Sequence, residues 1–191
     1  LWIPAVIALL LTAAPALYAQ DEGGGGMPTA KAKGGKVTDA INSKLGAIFD
    51  LGGGVTMLFP RGLPVGESRL VTLKKGRGRL PGKLIGKGWK PLGKVLDFNG
   101  AFNTSGRPII LSMPMKRNPA KGNKRLVVAM EIGTFCEGPN KKHKLKGGLC
   151  SGFELHDAEY DANAKRLVAR LQSTGGLRLQ FGVVADEGDD E

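Results

Sequence analysis

The chemistry-bearing residues of this chain gather in one stretch. Cys136, His143, Cys150 and His156 all fall within it. Two thiolates and two imidazoles are a zinc donor set, but structural zinc sites use close-spaced pairs that form a knuckle, and here every gap is long. In an exported protein two cysteines most simply bond to each other. A Cys136–Cys150 disulfide would close the basic, turn-forming segment EGPNKKHKLKGGL. On a chain-entropy argument, closing a loop of about 15 residues is worth roughly 3 kcal/mol. Disulfide and zinc are the two alternatives, the disulfide is preferred, and no metal is expected. His143 stands among lysines, which favour its neutral form; His156, in FELHD, is expected on a strand face.

Glu154, Asp157, Glu159 and Asp161 suggest paired carboxylates or a calcium loop. The DxDxDG-like spacing is absent, and DAEYDANAK reads as a turn whose Asp and Asn bond their own backbone. The nucleophile elbow Gly-x-Ser-x-Gly is also absent. Lys74 to Lys94, KKGRGRLPGKLIGKGWKPLGK, has the glycines and lysines of a phosphate-cradling loop but not the required spacing, because Gly82-Lys83 is followed by Leu84. The residues therefore predict a non-enzymatic protein without cofactors. Asn103-Thr104-Ser105 matches a glycosylation sequon, which carries no meaning in a bacterial context.

Charge supplies the positive signal. Lys and Arg number 28 against 17 Asp and Glu. Seven of the acids lie outside the body, at Asp21, Glu22, Asp186, Glu187, Asp189, Asp190 and Glu191, which leaves a strongly cationic body with a short acidic tail. Two basic clusters are the polyanion-binding candidates: Lys74, Lys75, Arg77, Arg79, Lys83, Lys87, Lys90 and Lys94, then Lys141, Lys142, Lys144 and Lys146. For the first, a merely solvated cationic hairpin is the preferred reading and a polyanion-binding arm the alternative. Lipopolysaccharide, a cell-wall polymer or nucleic acid would each supply the charge. Trp89 is the single ring in the first cluster, which argues against a surface that stacks single-stranded bases. Leu80, Leu84, Ile85, Trp89 and Leu92 are expected to fix this arm to the core edge.

The compartment rests on the first residues. LWIPAVIALLLTAAPALYAQDE is an apolar run ending in small residues, read as a signal peptide over 1–19, with no transmembrane span in the mature chain. A start at Met27 would instead make the protein cytoplasmic, and only then would nucleic acid be a natural partner. Residues 20–36 read as a flexible Gly/Lys linker, 37–185 as a single domain and 186–191 as an acidic tail.

Short apolar runs between Gly, Pro, Asn and Asp are the pattern of an all-β domain. VTMLF, RLVTL, KVLDF, RPIILSMPM, RLVVAMEIGTF, KRLVARLQ and LRLQFGVV are the candidate strands. Alternation in the last puts Leu177, Leu179, Phe181 and Val183 into a core, and Arg166, Arg170 and Arg178 are expected to extend the basic surface. Val37, Ile41, Leu45 and Ile48 stand at helical spacing and predict one short N-terminal helix, with an opening strand at 47–51 as the alternative.

GVTMLFPRGLPVGES, GKVLDFNGAFNTSGRPIILSMP and AEYDANAKRLVARLQSTGGLRLQFGVV together resemble the zona-occludens and ankyrin type (ZU-type) domain. Pro60, Gly62, Phe102, Pro108 and Leu111 fall on its matching positions, over roughly 51–185. The tryptophan often found before its closing strands is missing, with Phe153 near that place, and the lysine-rich insert is atypical. The resemblance implies an antiparallel β-sandwich that contacts a protein partner, and it supplies no catalytic residues. The function expected from the sequence is therefore a secreted or periplasmic binding module with a basic surface. A protein is the first partner expected and an anionic polymer or surface the alternative.

Overall fold

The apolar runs between turn residues do fold as strands. A computed structural model describes residues 26–64, 69–100, 106–145, 147–172 and 178–186; the segment read as a signal peptide and the acidic tail beyond Asp186 lie outside them. Among the described residues there are eleven strands: β1 (Thr29–Lys31), β2 (Lys36–Ile41), β3 (Ala47–Asp50), β4 (Thr56–Phe59), β5 (Arg69–Lys75), β6 (Lys90–Asn99), β7 (Ile109–Pro114), β8 (Lys124–Thr134), β9 (Cys150–Asp161), β10 (Arg166–Leu171) and β11 (Arg178–Ala185). The only helical segments among the described residues are short 3-10 turns at Gly82–Leu84 and Gly138–Lys142.

All eleven strands join in one sheet, in the order β1-β3-β4-β7-β10-β9-β8-β11-β6-β5-β2. The sheet curls until it is nearly a closed barrel. Phe59 of β4 consequently stacks on Phe98 of β6, with ring centroids 6.4 Å apart, although five strands separate β4 from β6 in the sheet order. The two edge strands meet at a two-residue turn. Lys33 and Lys36 exchange backbone hydrogen bonds of 3.0 and 3.2 Å, and Gly34 and Gly35 both hold positive φ, 59° and 76°, as the tightest hairpin turn demands. The all-β expectation holds. Two separate packed sheets are not what forms, because β11 bridges β6 and β8 and so hydrogen-bonds the two halves together.

No helix forms at Val37: residues 36–41 are β2, and the alternative of an opening strand at 47–51 is what forms, as β3 over 47–50. The spacing of four between Val37 and Ile41 fits a strand as well as a helix, and Gly46, at φ 66°, turns the chain between them. The linker assigned to 20–36 also contains structure, since β1 pairs in parallel with β3. DAEYDANAK is a turn only in its second half. Asp157 to Asp161 finish β9, and Asp161 Oδ1 then accepts bonds from the Asn163 and Ala164 N–H groups, each 2.9 Å long.

Alternation sorts the side chains. Leu126, Val128 and Met130 of β8 and Leu179, Phe181 and Val183 of β11 fill the barrel, with Phe49, Phe59, Leu73, Phe98 and Leu111. The residues between them are apolar too. Val127, Ala129 and Val184 face outward and are buried under Leu80 and Ile85, with Trp89, Phe153 and Leu155 at the margin. The barrel therefore has a second, smaller core on its outer wall.

Gly182 makes that outer core possible. A Cβ there would come within 2.3 Å of the Trp89 ring. Gly182→Ala is expected to displace the indole and lower stability by about 1–3 kcal/mol. Thermal unfolding together with limited trypsin digestion checks this: the midpoint should fall and cleavage at Lys83 and Lys87 should quicken.

Candidate binding surface

The first basic cluster becomes an arm, 76–89, laid across the outer wall. Its apolar residues hold it there. Leu80 and Ile85 are buried, and the Leu80 N–H donates to Gln180 Oε1 over 3.2 Å. Gln180 is buried and donates its Nε2 to the Gly93 carbonyl, 3.1 Å away. Gly93 belongs to a bulge where β6 carries extra residues against β11, between the Leu179–Leu96 and Phe181–Leu92 pairs. A buried amide thus satisfies the arm and the bulge together. Arg77, Arg79, Lys83, Lys87 and Lys90 are left exposed, and none has an ion-pair partner among the described residues.

The second cluster is a stapled loop. The Cys136 and Cys150 sulfurs are bonded at 2.10 Å, so neither is a thiolate available to zinc. Among the described residues, no three His, Cys, Asp or Glu side chains are grouped to hold a metal. The turn at Gly138–Lys142 is fixed by Asn140, whose Oδ1 accepts from the Glu137 N–H over 2.7 Å and whose Nδ2 donates to the Phe135 carbonyl over 2.9 Å. Ser151 N–H bonds the His143 carbonyl at 2.8 Å, which pulls the loop onto β9. Lys141, Lys142 and Lys144 are exposed, Phe135 is 80% exposed, and Lys146 lies outside the described residues.

The two clusters share one wall. Along β8 the outward positions are Val127, Ala129, Glu131 and Gly133. The first two lie under the arm. Gly133 lies under Leu149 of the stapled loop, which a Cβ would strike at 2.8 Å. Outward positions on a strand recur every ~7 Å, so the arm over Ala129 and the loop over Gly133 stand about 14 Å apart along β8, with Glu131 between them.

Between them runs a ladder of directly opposed residues: Lys74 on β5, Asp97 on β6, Arg178 on β11 and Glu131 on β8. Lys74 reaches Asp97 at 3.4 Å. Arg178 holds Glu131 with Nε on Oε2 at 2.5 Å and Nη2 on Oε1 at 2.6 Å, and Ser151 Oγ donates to Oε1 over 2.8 Å. The Glu131 side chain is 1% exposed. Burial alone would raise its pKa, but the hydrogen bonds from Arg178 and Ser151 outweigh burial and hold the carboxyl below its ordinary value.

Other strand cations are occupied as well. Arg166 donates to Ser112 Oγ, Thr56 Oγ1 and the Gly54 carbonyl, and Arg170 pairs with Glu159 at 2.9 Å. Arg166, Arg170 and Arg178 therefore do not extend the free basic surface. Arg125 takes Asp157 at 2.7 Å, so the acidic cluster is dispersed into ion pairs and a turn. His156 Nε2 stands 3.7 Å from Glu154 Oε2, and burial keeps its pKa below the ordinary histidine value despite that carboxylate and Asp157.

Lys75 and Lys94 also leave the outer surface. They line a cavity at one end of the barrel with Gly52, Gly53, Val55, Gly93, Leu96, Met113, Pro114 and Phe181. Sequence reasoning missed this cavity, the Gln180 bridge and β9 as a long strand. The first two depend on which distant strands meet, and β9 mixes polar and apolar residues without clear alternation. No protein-family model matches the chain, and no curated protein matches its sequence.

Arg178→Ala should strand the Glu131 carboxylate and cost about 3 kcal/mol, read by denaturant unfolding near neutral pH. Because Glu131 titrates lower when folded, its contribution is complete above its ordinary value of 4.5 and is lost as the pH falls below that value. Glu131→Gln should therefore flatten the decline in stability between about pH 5 and pH 3. Replacing Cys136 and Cys150 together by serine should lower stability by up to about 3 kcal/mol, and adding reductant to the wild type should reproduce that loss.

Proposed function

We propose that this protein is an exported, non-enzymatic binding module whose outer wall takes an extended polyanion. One observation carries the reading: the arm and the stapled loop sit on adjacent stretches of the same wall, and their lysines and arginines have no carboxylate partners among the described residues. Strand cations engaged in ion pairs or hydrogen bonds contribute scaffold. Unpaired ones on anchored segments keep their charge for a ligand. The Cys136–Cys150 bond supports an oxidising compartment, which favours anionic polysaccharide or lipid polymer over nucleic acid. A protein partner, implied by the ZU-type resemblance, is the second reading.

Anchoring explains how such a surface would work. An arm held by Leu80, Ile85 and Trp89 loses little further backbone freedom on binding, and each contacted sulfate, phosphate or carboxylate releases counterions. Affinity for a sulfated polysaccharide should therefore fall linearly with salt on a logarithmic plot. The triple variant Lys83→Glu, Lys87→Glu, Lys90→Glu should bind at least tenfold more weakly with a shallower salt slope. Titration of the full chain at several salt concentrations reads both effects. An interaction indifferent to salt, or unchanged in the triple variant, would sink the proposal.

A further inference from the structure

We propose that the end of the barrel lined by Lys75 and Lys94 is a second, separate binding site, for a medium-chain anionic amphiphile such as a fatty acid. The cavity there is about 220 Å³. Its inner lining is Val55, Leu96, Met113, Pro114 and Phe181, and no carboxylate lines it. Leu96 and Phe181 belong to the main core, so the cavity is an unfilled end of the barrel interior. The strand period explains Lys75, which lies directly opposite Leu96 and two residues beyond the core residue Leu73 and so falls on the inward face. Lys94 sits in the β6 bulge and lines the same cavity.

Two ammonium groups at the rim of one apolar cavity repel each other until something negative joins them. Among the described residues Lys75 Nζ has only the Gly52 carbonyl, at 3.4 Å, and Lys94 has no ion-pair partner. An anionic head would satisfy both, while a tail fills the space beneath. The rim leaves room for this: a Cβ on Gly52 or Gly53 would have nothing within 4 Å. The opposite wall is set by close approach, since a Cβ on Gly93 would lie 2.6 Å from Met113 Sδ. At about 30 Å³ for a group of a water's volume, the cavity holds roughly seven such groups. That matches a tail of octanoate length.

The test is calorimetric titration of the full chain with butyrate, hexanoate, octanoate and decanoate, and with octanol. Affinity should rise about fourfold per methylene up to octanoate and level off once the tail outgrows the cavity. Lys75→Met with Lys94→Met should weaken octanoate binding about tenfold or more and leave octanol binding unchanged. Both lysines are exposed at the rim, so the variant should unfold at the wild-type temperature. The arm variant carrying Glu at 83, 87 and 90 should bind octanoate like the wild type, so this site and the outer wall stand or fall separately. A flat chain-length series, or octanoate affinity unchanged by the lysine replacements, would overturn the inference.

Discussion

Two neighbouring strands, β8 and β11, are apolar on both faces, and this places a demand on the rest of the molecule. Every residue from Leu126 to Met130 and from Leu179 to Val184 is buried. Alternate residues fill the barrel, which leaves Val127, Ala129, Gln180, Gly182 and Val184 facing outward where water would otherwise reach them. Something has to cover that wall, and the coverage is worth roughly 25 cal/mol for each Å² of apolar surface removed from water. The arm covers one stretch and the stapled loop the next. Their composition suits segments that lie between an apolar wall and solvent. A few apolar residues pack downward, glycines allow close approach, and long cationic side chains keep the outside soluble. Gly82, for example, lies where a Cβ would come within 2.7 Å of the Trp89 ring.

This arrangement divides the positive charge into two populations. Several strand cations meet partners set by register, as Arg178 meets Glu131 and Arg125 meets Asp157, while among the described residues Lys90 and Lys94 of β6 do not. The Arg178–Glu131 pair is buried enough to fix the alignment of β11 against β8, because a slip of one residue would leave a carboxylate enclosed without a counter-charge. Cations of the covering segments have no opposing strand and so no partner of this kind. The net charge of the chain therefore overstates the basic character of the barrel wall and understates that of its cover.

How much of this was legible in the sequence varies with the range of the interactions. Strands such as Thr56–Phe59 and Arg178–Ala185 follow from local alternation and turn residues. The pairing of Cys136 with Cys150 was also readable, since two cysteines around a turn-rich basic segment have one simple partner each. At Val37 helix and strand are not separable locally, because a spacing of four is common to both periods; of the two readings the opening strand at 47–51 is the one that forms. Closure into one sheet was not legible at all. It depends on β11 lying between β6 and β8, an order with no local signature. The same limit hid Lys75 and Lys94, whose membership of a basic run says nothing about which face of β5 or β6 they occupy.

The Lys33–Gly34–Gly35–Lys36 turn has a consequence for how this protein behaves among copies of itself. A sheet of eleven strands left open would present two rows of unpaired backbone groups, the usual template for chain-to-chain stacking. Here the first and last strands of the sheet are also consecutive in the chain, so the shortest possible tether keeps each margin beside the other. The two margins are thereby tied together by the connectivity, at a turn that depends on two glycines of positive φ.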